Sequence, residues 1–481
     1  MLLPATLPPL AWGAVRRPSL PLLLIAAIVA LSFGLNARMA ANPRSNYQSA
    51  DERSYGKLAV DIADNHHYGG SSAEPLHWPP GAPVLFAVGH KLFPAASDTK
   101  SYDIRAAYWE QALLTTGTTV LAALLAWLLA GPWAGVAASA IVGTYPPLIG
   151  ATGDQLSEPL GAFLLIAAFT ALAWAIKRCR APGAGLGPWR WAASGALFGA
   201  AILTRTDLLP LPFLLAGLAA LIVLWRARAW RRALTTWGVL AGACALVLAP
   251  WTIYASSQEG QFVPVTKGSA SALFVGTYLP GGGTTVGMKF ALEKQLRAKH
   301  PELDGTKTYK IPAKYALDLF IAKHPGMSRD EALQREARHN LIHYSTTRPL
   351  SFAKMAFNKA KRMWFFYYRG GGVHYISTAT RLWQIFLVVA CTLGLVAGIW
   401  RRRDPVLMAV LLAVALSTAV HAIVVSQARY NLPLMPSLVA AGVAGWFMAL
   451  RRQPHPNEES EGSTEPLNRK MNAPSRPAEV V

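Results

Sequence analysis

Residues 158–176 read EPLGAFLLIAAFTALAWAI, an apolar run whose one charged side chain, Glu158, stands at its first position. A helix needs about 20 predominantly apolar residues to cross a hydrocarbon core of about 30 Å, so this run predicts a transmembrane helix. Lys177, Arg178 and Arg180 follow it directly. Short loops rich in Lys and Arg stay in the cytoplasm, so the stretch also predicts that its C-terminal end faces inward.

Similar apolar runs recur along the chain. They are Ser19–Ala37, Ala106–Ala130, Trp133–Gly150, Trp189–Thr204, Leu208–Trp225, Thr236–Ile253, Leu382–Trp400, Pro405–Val425 and Leu432–Leu450. Hydrophobic residues make up 53% of the chain and charged residues 15%, which argues against a soluble globular protein. The predicted fold class is an all-α polytopic membrane protein, a bundle of about 10–12 transmembrane helices whose external loops carry interfacial helices.

Basic clusters indicate one orientation for these helices. Counting crossings from Arg16 and Arg17, the other basic clusters fall on the same side, and they are residues 177–180, 226–232, 401–403 and 451–452. Because short basic loops stay cytoplasmic, this side is predicted to be the inner one. The formal charge of +21 is then largely a topology signal, and no nucleic-acid partner is needed to explain it.

The first apolar run has two interpretations. Arg16 and Arg17 precede it as in a cleaved signal peptide, whereas its length favours a retained membrane anchor. Both interpretations place the residues that follow it outside. We divide the chain into an N-terminal transmembrane module at 1–253 with a long first external loop at 38–105, an external region at 254–380, C-terminal transmembrane helices at 381–452 and a disordered cytoplasmic tail at 453–481.

The long external region contains two predicted helices. Ser328, followed three residues later by Glu331, forms a capping-box pattern that opens a helix through about Tyr344. The next helix, about Leu350–Tyr367, is predicted to have a basic side made of Lys354, Lys359, Lys361 and Arg362. Such a helix suits the membrane interface beside anionic headgroups, and the alternative is a helix packed on the other external loops.

The first external loop holds Asp51, Glu52 and Tyr55. If this stretch is helical, Asp51 and Tyr55 lie about one turn apart and face the same side. A carboxylate beside a membrane cavity acts as a general base toward an acceptor when burial moves its pKa toward the working pH. The alternative interpretation is an ordinary solvated loop carboxylate.

Other polar residues stand at the predicted outer ends of the helices. They are His77 before the Pro-rich turn 78–83, Asp154 and Glu158 at the outer end of the run 158–176, Arg205 after Trp189–Thr204, and Arg429 and Tyr430 before Leu432–Leu450. Acids at a helix N-terminus serve as caps or bind an acceptor or a metal, and these alternatives stay open here. Arginine binds phosphate through two parallel hydrogen bonds, although an arginine at a helix boundary also serves as a snorkelling anchor.

Taken in order, these features resemble the GT-C superfamily of glycosyltransferases that use polyprenyl-phosphate sugars, near the protein mannosyltransferase and lipid A aminoarabinose transferase branch. The resemblance covers residues 38–436. Its most specific pieces are Asp51, Glu52 and Tyr55, the turn Trp78–Pro83, Ser157–Pro159, Leu203–Arg205, Pro250 and Trp251 with Phe262–Val265, and Arg429 and Tyr430 with Leu432, Pro433, Met435 and Pro436. Their order and predicted placement on one face carry the resemblance.

The resemblance implies a multi-pass enzyme of the bacterial plasma membrane. It would transfer one sugar from a polyprenyl-phosphate donor to a cell-envelope glycan, glycolipid or protein, at the external face and with inversion. Asp51 then corresponds to the general base or acceptor-orienting residue, and Glu52 supports it. The implied substrate-binding residues are Tyr55, His77, Asp154, Glu158, Arg205, Arg429 and Tyr430.

Two of these assignments concern the phosphate of the donor. Arg429 is the first candidate to stabilise it as its charge develops, and Arg205 is the second. His77 stands where related enzymes often place a lysine or another cationic residue. Histidine is charged only part of the time near neutral pH, so this departure puts a phosphate contact at His77 in doubt.

No firm cofactor follows from the sequence. Asp51 and Asp154 could share Mg²⁺ or Mn²⁺ if their loops meet, because hard oxygen ligands suit those ions. The first loop contains no Asp-X-Asp triplet, and the branch that the chain resembles is generally metal-independent. The adjacent His66 and His67 have side chains that diverge, which favours a surface role over a zinc site.

Two other classes of function stay open. A transporter or a flippase for lipid-linked sugars would carry acids and bases along a path through the membrane and is often built from inverted repeats. The polar residues here cluster at one predicted face instead. A non-catalytic scaffold with an external partner-binding region predicts that Asp51→Asn is silent.

Overall fold

The computed structural model describes residues 19–43, 49–69, 75–94, 97–98, 102–179, 187–226, 230–366 and 378–451, and the predicted tail at 453–481 lies outside them. The helices before the long external region are α1 (Leu20–Ala41), α2 (Ala50–Asn65), α3 (Gly81–Leu92), α4 (Arg105–Ala130), α5 (Pro132–Gly143), α6 (Pro146–Ala151), α7 (Glu158–Cys179), α8 (Pro188–Ile202), α9 (Leu211–Arg226) and α10 (Trp230–Glu259). The later helices are α11 (Ser269–Thr277), α12 (Thr285–Ala291), α13 (Glu293–Lys299), α14 (Ala313–Ile321), α15 (Arg329–Thr347), α16 (Pro349–Phe365), α17 (Thr378–Arg402), α18 (Pro405–Ile423) and α19 (Met435–Leu450).

The fold is all-α, which confirms the predicted class. Among the described residues, β structure is confined to the antiparallel pair β1 (Ser97–Asp98) and β2 (Asp103–Ile104). Six helices in the described part of the chain are long and apolar enough to cross a membrane, namely α1, α4, α7, α10, α17 and α18. The protein is therefore a polytopic membrane protein.

The other predicted spans form shorter helices. The run Trp133–Gly150 is divided, because α5 ends at Gly143 and α6 begins at Pro146. Proline lacks the backbone N–H that a continuing helix needs, which accounts for the break. The helix α19 has 16 residues and a length of about 24 Å, and it packs on α4, α5 and α17.

Small residues bring α17 and α19 close together. A Cβ built at Gly394 would lie 2.3 Å from the carbonyl oxygen of Gly442, and one at Gly445 would lie 2.0 Å from the carbonyl oxygen of Gly394. Both distances are shorter than any real contact, so a larger side chain at either position would push the helices apart. This close packing of backbones is typical of helix pairs in membranes.

The external region has an apolar cluster of its own. Phe274 of α11 packs against Phe320 of α14 with ring centroids 4.5 Å apart, and Met288, Leu296 and Leu333 are buried beside them. The capping box at Ser328 is present and opens α15, which confirms that prediction. The region therefore folds against the membrane bundle through α11 and α16.

The helix α16 corrects one detail of the sequence prediction. Lys354 is exposed, but Lys359 is fully buried and does not belong to an exposed basic side. The side of α16 opposite Lys359, which also carries Lys354, exposes Leu350 and Phe357, at 85% and 66% of their surfaces. Contact of this side with a membrane surface stays a prediction, because the helix also packs on α15, α17 and α18.

Candidate active site

A cavity of about 480 Å³ lies where α2, the N-terminus of α7, α11 and the end of α18 meet. Most of the residues singled out in the sequence line it, and they are Asp51, Tyr55, His77, Glu158, Arg205, Arg429 and Tyr430. Residues from five separate parts of the chain thus share one cavity. Glu52 and Asp154 lie outside the described lining.

The first-loop residues reach the cavity because α2 begins at Ser49. The Ser49 side chain accepts a hydrogen bond from the backbone N–H of Glu52, and the Ser49 N–H donates to the Glu52 carboxylate at 2.8 Å. This capping box satisfies two backbone donors at the helix start. Asp51 and Tyr55 are four residues apart in α2, so both line the same side of the helix, as the sequence predicts for a helical segment.

Glu52 has a different environment from Asp51. It is 5% exposed, and its second oxygen lies 3.4 Å from the backbone N–H of Gln155. The Gln155 side chain donates back to the carbonyl oxygen of Glu52 at 3.3 Å. Glu52 therefore fixes the start of α2 against the loop that precedes α7, and its supporting role for Asp51 stays a prediction.

Asp154 is buried in that same loop. Its backbone carbonyl accepts a hydrogen bond of 2.8 Å from the side chain of Gln111 in α4. The described residues contain no group of three His, Cys, Asp or Glu side chains that could hold a metal ion. Asp51 faces an arginine in the cavity, so the residues around it suit an anion better than a shared Mg²⁺ or Mn²⁺.

Arg429 contacts two carboxylates of the cavity. Its Nη2 donates to Oδ2 of Asp51, and its Nε lies 3.6 Å from Oε1 of Glu158. Burial by itself lowers the pKa of Arg429, but the carboxylates of Glu158 and Asp51 more than offset this and raise it well above the usual value. The side chain is therefore a permanent cation between two acids.

Arg205 approaches Glu158 from the other side. Its Nη1 lies 3.6 Å from Oε1 of Glu158, and its Nε donates to Oδ1 of Asp207 at 3.2 Å. Gly161 leaves room for it, because a Cβ at Gly161 would lie 3.2 Å from the side chain of Arg205. The ring of Tyr430 lies under both guanidinium groups, at 5.2 Å from Arg205 and 5.7 Å from Arg429.

Glu158 stands between the two arginines at the first position of α7. The N-terminus of a helix carries partial positive charge, which favours a carboxylate there. The side chain is 3% exposed, and its Oε2 accepts no hydrogen bond from any described residue. The cavity therefore offers one buried acceptor to a hydroxyl group of a ligand.

The Pro-rich turn forms another wall. Trp78 packs on Tyr55 with ring centroids 5.1 Å apart, and His77 packs on Trp78 at 4.7 Å. The backbone N–H of Gly81 donates to the carbonyl of Leu203 at 2.8 Å, which attaches the turn to the segment that carries Arg205. Burial, and next the Glu158 charge, raise the pKa of Tyr55, so its hydroxyl keeps its proton and donates to Ser157 at 3.3 Å.

Three residues at or next to the cavity are not among the predicted site residues, and they are His421, Ser417 and Lys267. His421 lines the cavity, its Nε2 lies 3.4 Å from Oδ2 of Asp207, and Ser417 donates to the same oxygen at 2.8 Å. Lys267 lines the cavity near α11 and pairs with Glu259. The available signal for His421 and Ser417 is their position as polar residues within the apolar run Pro405–Val425.

No family profile and no curated protein matches the chain. Solved structures do. The chain is similar to the oligosaccharyltransferase AglB of Archaeoglobus fulgidus in complex with an inhibitory peptide and a dolichol-phosphate, with 16% identity and a TM-score of 0.54 over 88% of this chain and 50% of that one. The apo oligosaccharyltransferase of the same organism gives 16% identity and a TM-score of 0.53 over 89% and 50%.

This chain thus spans about half the length of those two chains. ArnT from Cupriavidus metallidurans bound to undecaprenyl phosphate aligns with a TM-score of 0.38 and 16% identity over 88% of this chain and 77% of that one, a score that supports no conclusion. At 16% identity, the similarity to the oligosaccharyltransferase establishes a shared fold. The chain therefore shares the fold of that oligosaccharyltransferase over 88% of its own length.

Proposed function

We propose that the protein is a membrane glycosyltransferase that moves one sugar from a polyprenyl-phosphate donor to an acceptor of the cell envelope. The observation that carries the proposal is the convergence of one carboxylate, Asp51, and two arginines, Arg429 and Arg205, on a single cavity beside membrane-spanning helices. A lipid-phosphate donor needs both a cationic site for its phosphate and a base for the acceptor. The AglB structure contains a dolichol-phosphate, which supports a donor of this class.

The pairing of Asp51 with Arg429 suggests how the donor prepares the site. A phosphate that enters the cavity competes with Asp51 for the guanidinium of Arg429, since two parallel hydrogen bonds to phosphate suit this group. Asp51 then loses its cationic partner and becomes free to accept a proton. Binding of the donor and activation of the base are thereby coupled.

The proposed reaction is a single displacement. An acceptor oxygen or nitrogen attacks the anomeric carbon from the face opposite the phosphate, and its proton passes to Asp51. The bond between the anomeric carbon and the phosphate oxygen breaks, and its electron pair leaves with the polyprenyl phosphate. One new glycosidic bond replaces one broken bond, and the anomeric configuration inverts.

Other cavity residues would hold the sugar and the departing phosphate. Arg429 and, after it, Arg205 stabilise the charge of the phosphate, while the free Oε2 of Glu158 accepts a hydroxyl of the sugar. Tyr55 and Trp78 give an aromatic wall on which the sugar packs. His77 lies beside this wall, where it would contact the ligand.

We place the cavity on the external face of a bacterial plasma membrane, in agreement with the basic clusters at the other ends of the helices. Labelling of single cysteines in intact cells with an impermeant maleimide tests this. Ser345→Cys on α15 should react, while Arg402→Cys at the end of α17 should react only after permeabilisation, since both side chains are exposed. The reverse pattern would invert the topology.

The activity is tested by transfer of radiolabelled sugar from a panel of polyprenyl-phosphate sugars into membranes that contain the wild type or Asp51→Asn. Product should form with one donor and disappear in the variant. A chelator added to the same assay reports any need for Mg²⁺ or Mn²⁺. Movement of the lipid-linked sugar across the membrane without transfer would support the flippase instead, and equal transfer by both proteins would remove Asp51 from the mechanism.

A further inference from the structure

Lys359 of α16 is fully buried behind the wall of the cavity. Its Nζ donates to three backbone carbonyl oxygens, those of Gly276 at 2.7 Å, Ile423 at 2.9 Å and Val424 at 3.2 Å. Among the described residues it forms no ion pair. A buried charge is costly unless all of its hydrogen bonds are satisfied, so this arrangement needs a structural reason.

The reason lies in the carbonyl groups that it contacts. Gly276 stands in the last turn of α11, and Ile423 is the last residue of α18. Carbonyls in the last turn of a helix have no partner within the helix and carry partial negative charge, so a cation is favourable there. Lys359 therefore caps the C-termini of two helices with a single ammonium group.

The two capped helix ends are packed very closely. A Cβ at Gly276 would lie 2.4 Å from the carbonyl oxygen of Ile423, so only glycine allows this approach. The backbone N–H of Val425 also donates to the carbonyl of Ala272 in α11 at 3.1 Å. Burial, with a smaller contribution from the charge of Arg362, lowers the pKa of Lys359 to about 7.

The backbone of α16 contacts the same segment at two further points. The hydroxyl of Ser426 donates to the carbonyl of Lys359 at 2.9 Å, and the side chain of Asn431 donates to the carbonyl of Met363 at 2.7 Å. These contacts bracket residues 427–430, which include Arg429 and Tyr430. The segment that bears the main cation of the cavity is thus held at both of its ends by one external helix.

We propose that Lys359 is a positioning residue that, with the contacts of α16 to Ser426 and Asn431, fixes Arg429 against Asp51 and Glu158. Lys359 does not line the described cavity and acts through segment 423–431. The mechanical part of the proposal is independent of the reaction, whereas its importance for catalysis rests on the function proposed above. The experiment therefore has two readouts.

The first readout is the rate at which a buried cysteine reacts with N-ethylmaleimide in detergent. Ser426→Cys, placed in a chain whose native cysteines are replaced, is protected in the closed segment because residue 426 is 3% exposed. Adding Lys359→Met keeps most of the side-chain volume but removes the donors. We expect labelling to become faster by about tenfold or more, since loss of the Lys359 donor leaves three buried carbonyl oxygens without it and favours local opening.

Matched controls separate this effect from general unfolding. Lys354→Met removes an exposed lysine of the same helix and should leave the labelling rate unchanged. A cysteine at Ser437, which is 1% exposed in α19, should stay protected in every variant. If Lys359→Met also exposes the cysteine at position 437, Asn431→Ala is used in place of Lys359→Met. Asn431→Ala releases the other end of the segment, so it should also speed the labelling of Ser426→Cys. Unchanged labelling of Ser426→Cys in a folded variant would overturn the proposal.

The second readout is sugar transfer by the same variants. Lys359→Met should lower kcat and raise KM for the lipid donor, while Lys359→Arg, which keeps a cation at the two helix ends, should recover part of both. A purely structural role predicts loss of folded protein with kcat per folded molecule unchanged. If the wild type transfers no sugar, the proposed function fails, but the labelling result still decides whether Lys359 holds the segment.

Discussion

Two segments bring an arginine to Glu158, and they hold it in different ways. At residues 204–207, Arg205 pairs with Asp207, which also accepts a hydrogen bond from Ser417. At residues 427–431, Arg429 pairs with Asp51, a side chain that is 25% exposed and lines the cavity. Arg205 thus has a carboxylate partner built into its own segment, whereas the partner of Arg429 is the proposed base.

This difference indicates which arginine a ligand can recruit. Removing Arg205 from Asp207 would leave a buried carboxylate without its main cation, which is costly. Removing Arg429 from Asp51 frees a carboxylate that is partly exposed and that the reaction would use. We therefore expect Arg429 to contribute mainly to turnover and Arg205 mainly to stability, and the predictions below test that division.

The largest effect is expected for Asp51→Asn. The variant keeps the size of the side chain but cannot accept the proton of the acceptor, so kcat should fall by about 10²–10⁴-fold, the usual contribution of a general base. Transfer of radiolabelled sugar measures this. Asp64→Asn, at the more exposed end of the same helix, serves as the control and should retain activity. Comparable activity in both variants would place the base elsewhere.

The next effect is expected for Arg429→Met. Loss of one preorganised cationic contact to a developing charge typically costs about 10²–10³-fold in kcat. Thermal unfolding should change little, because Asp51 can reach solvent. The measurement is kcat alongside the melting temperature, with the exposed Arg348→Met as control. A variant with normal kcat and a much lower melting temperature would reverse the roles of the two arginines.

Arg205→Met should lower the stability of the protein more than its kcat. It leaves Asp207 buried with His421 and Ser417, and breaking a buried ion pair costs about 3–5 kcal/mol of unfolding free energy. The double variant Arg205→Met with Asp207→Asn removes the unpaired charge and should recover part of this stability. Chemical unfolding in detergent measures both. Additive losses in the double variant would mean that the two residues do not act as a pair.

Much of this arrangement could be predicted from the sequence, because the features concerned are local. The length of the apolar runs, the capping box at Ser328 and the helical spacing of Asp51 and Tyr55 depend on a few neighbouring residues. The order of the motif pieces also indicated the residues that line the cavity. Their chemical roles stay predictions.

Other features depend on contacts between distant parts of the chain and left no local signal. Lys359 looked like part of a basic face, but its burial depends on carbonyls 64 and 83 residues away in sequence. Glu52 stands next to Asp51 with the same chemistry, and its separation from the cavity depends on Gln155. The break between α5 and α6 has a local signal, Pro146, but the apolarity of the run Trp133–Gly150 continues across it.

The smallest effect is expected at Ser49, which does not line the cavity and has no proposed contact with a substrate. Ser49→Ala removes the acceptor of the Glu52 N–H and should cost about 1 kcal/mol of stability. Because α2 carries Asp51 toward Arg429, a looser helix start should also lower kcat several-fold, while Ser49→Asp, which keeps a capping oxygen, should restore both. Comparing kcat with the free energy of unfolding across these variants tests whether the start of α2 positions Asp51, as the contacts of α16 are proposed to position Arg429. Loss of stability without any change in kcat would show that the position of Asp51 is set by its partners in the cavity rather than by the start of its helix.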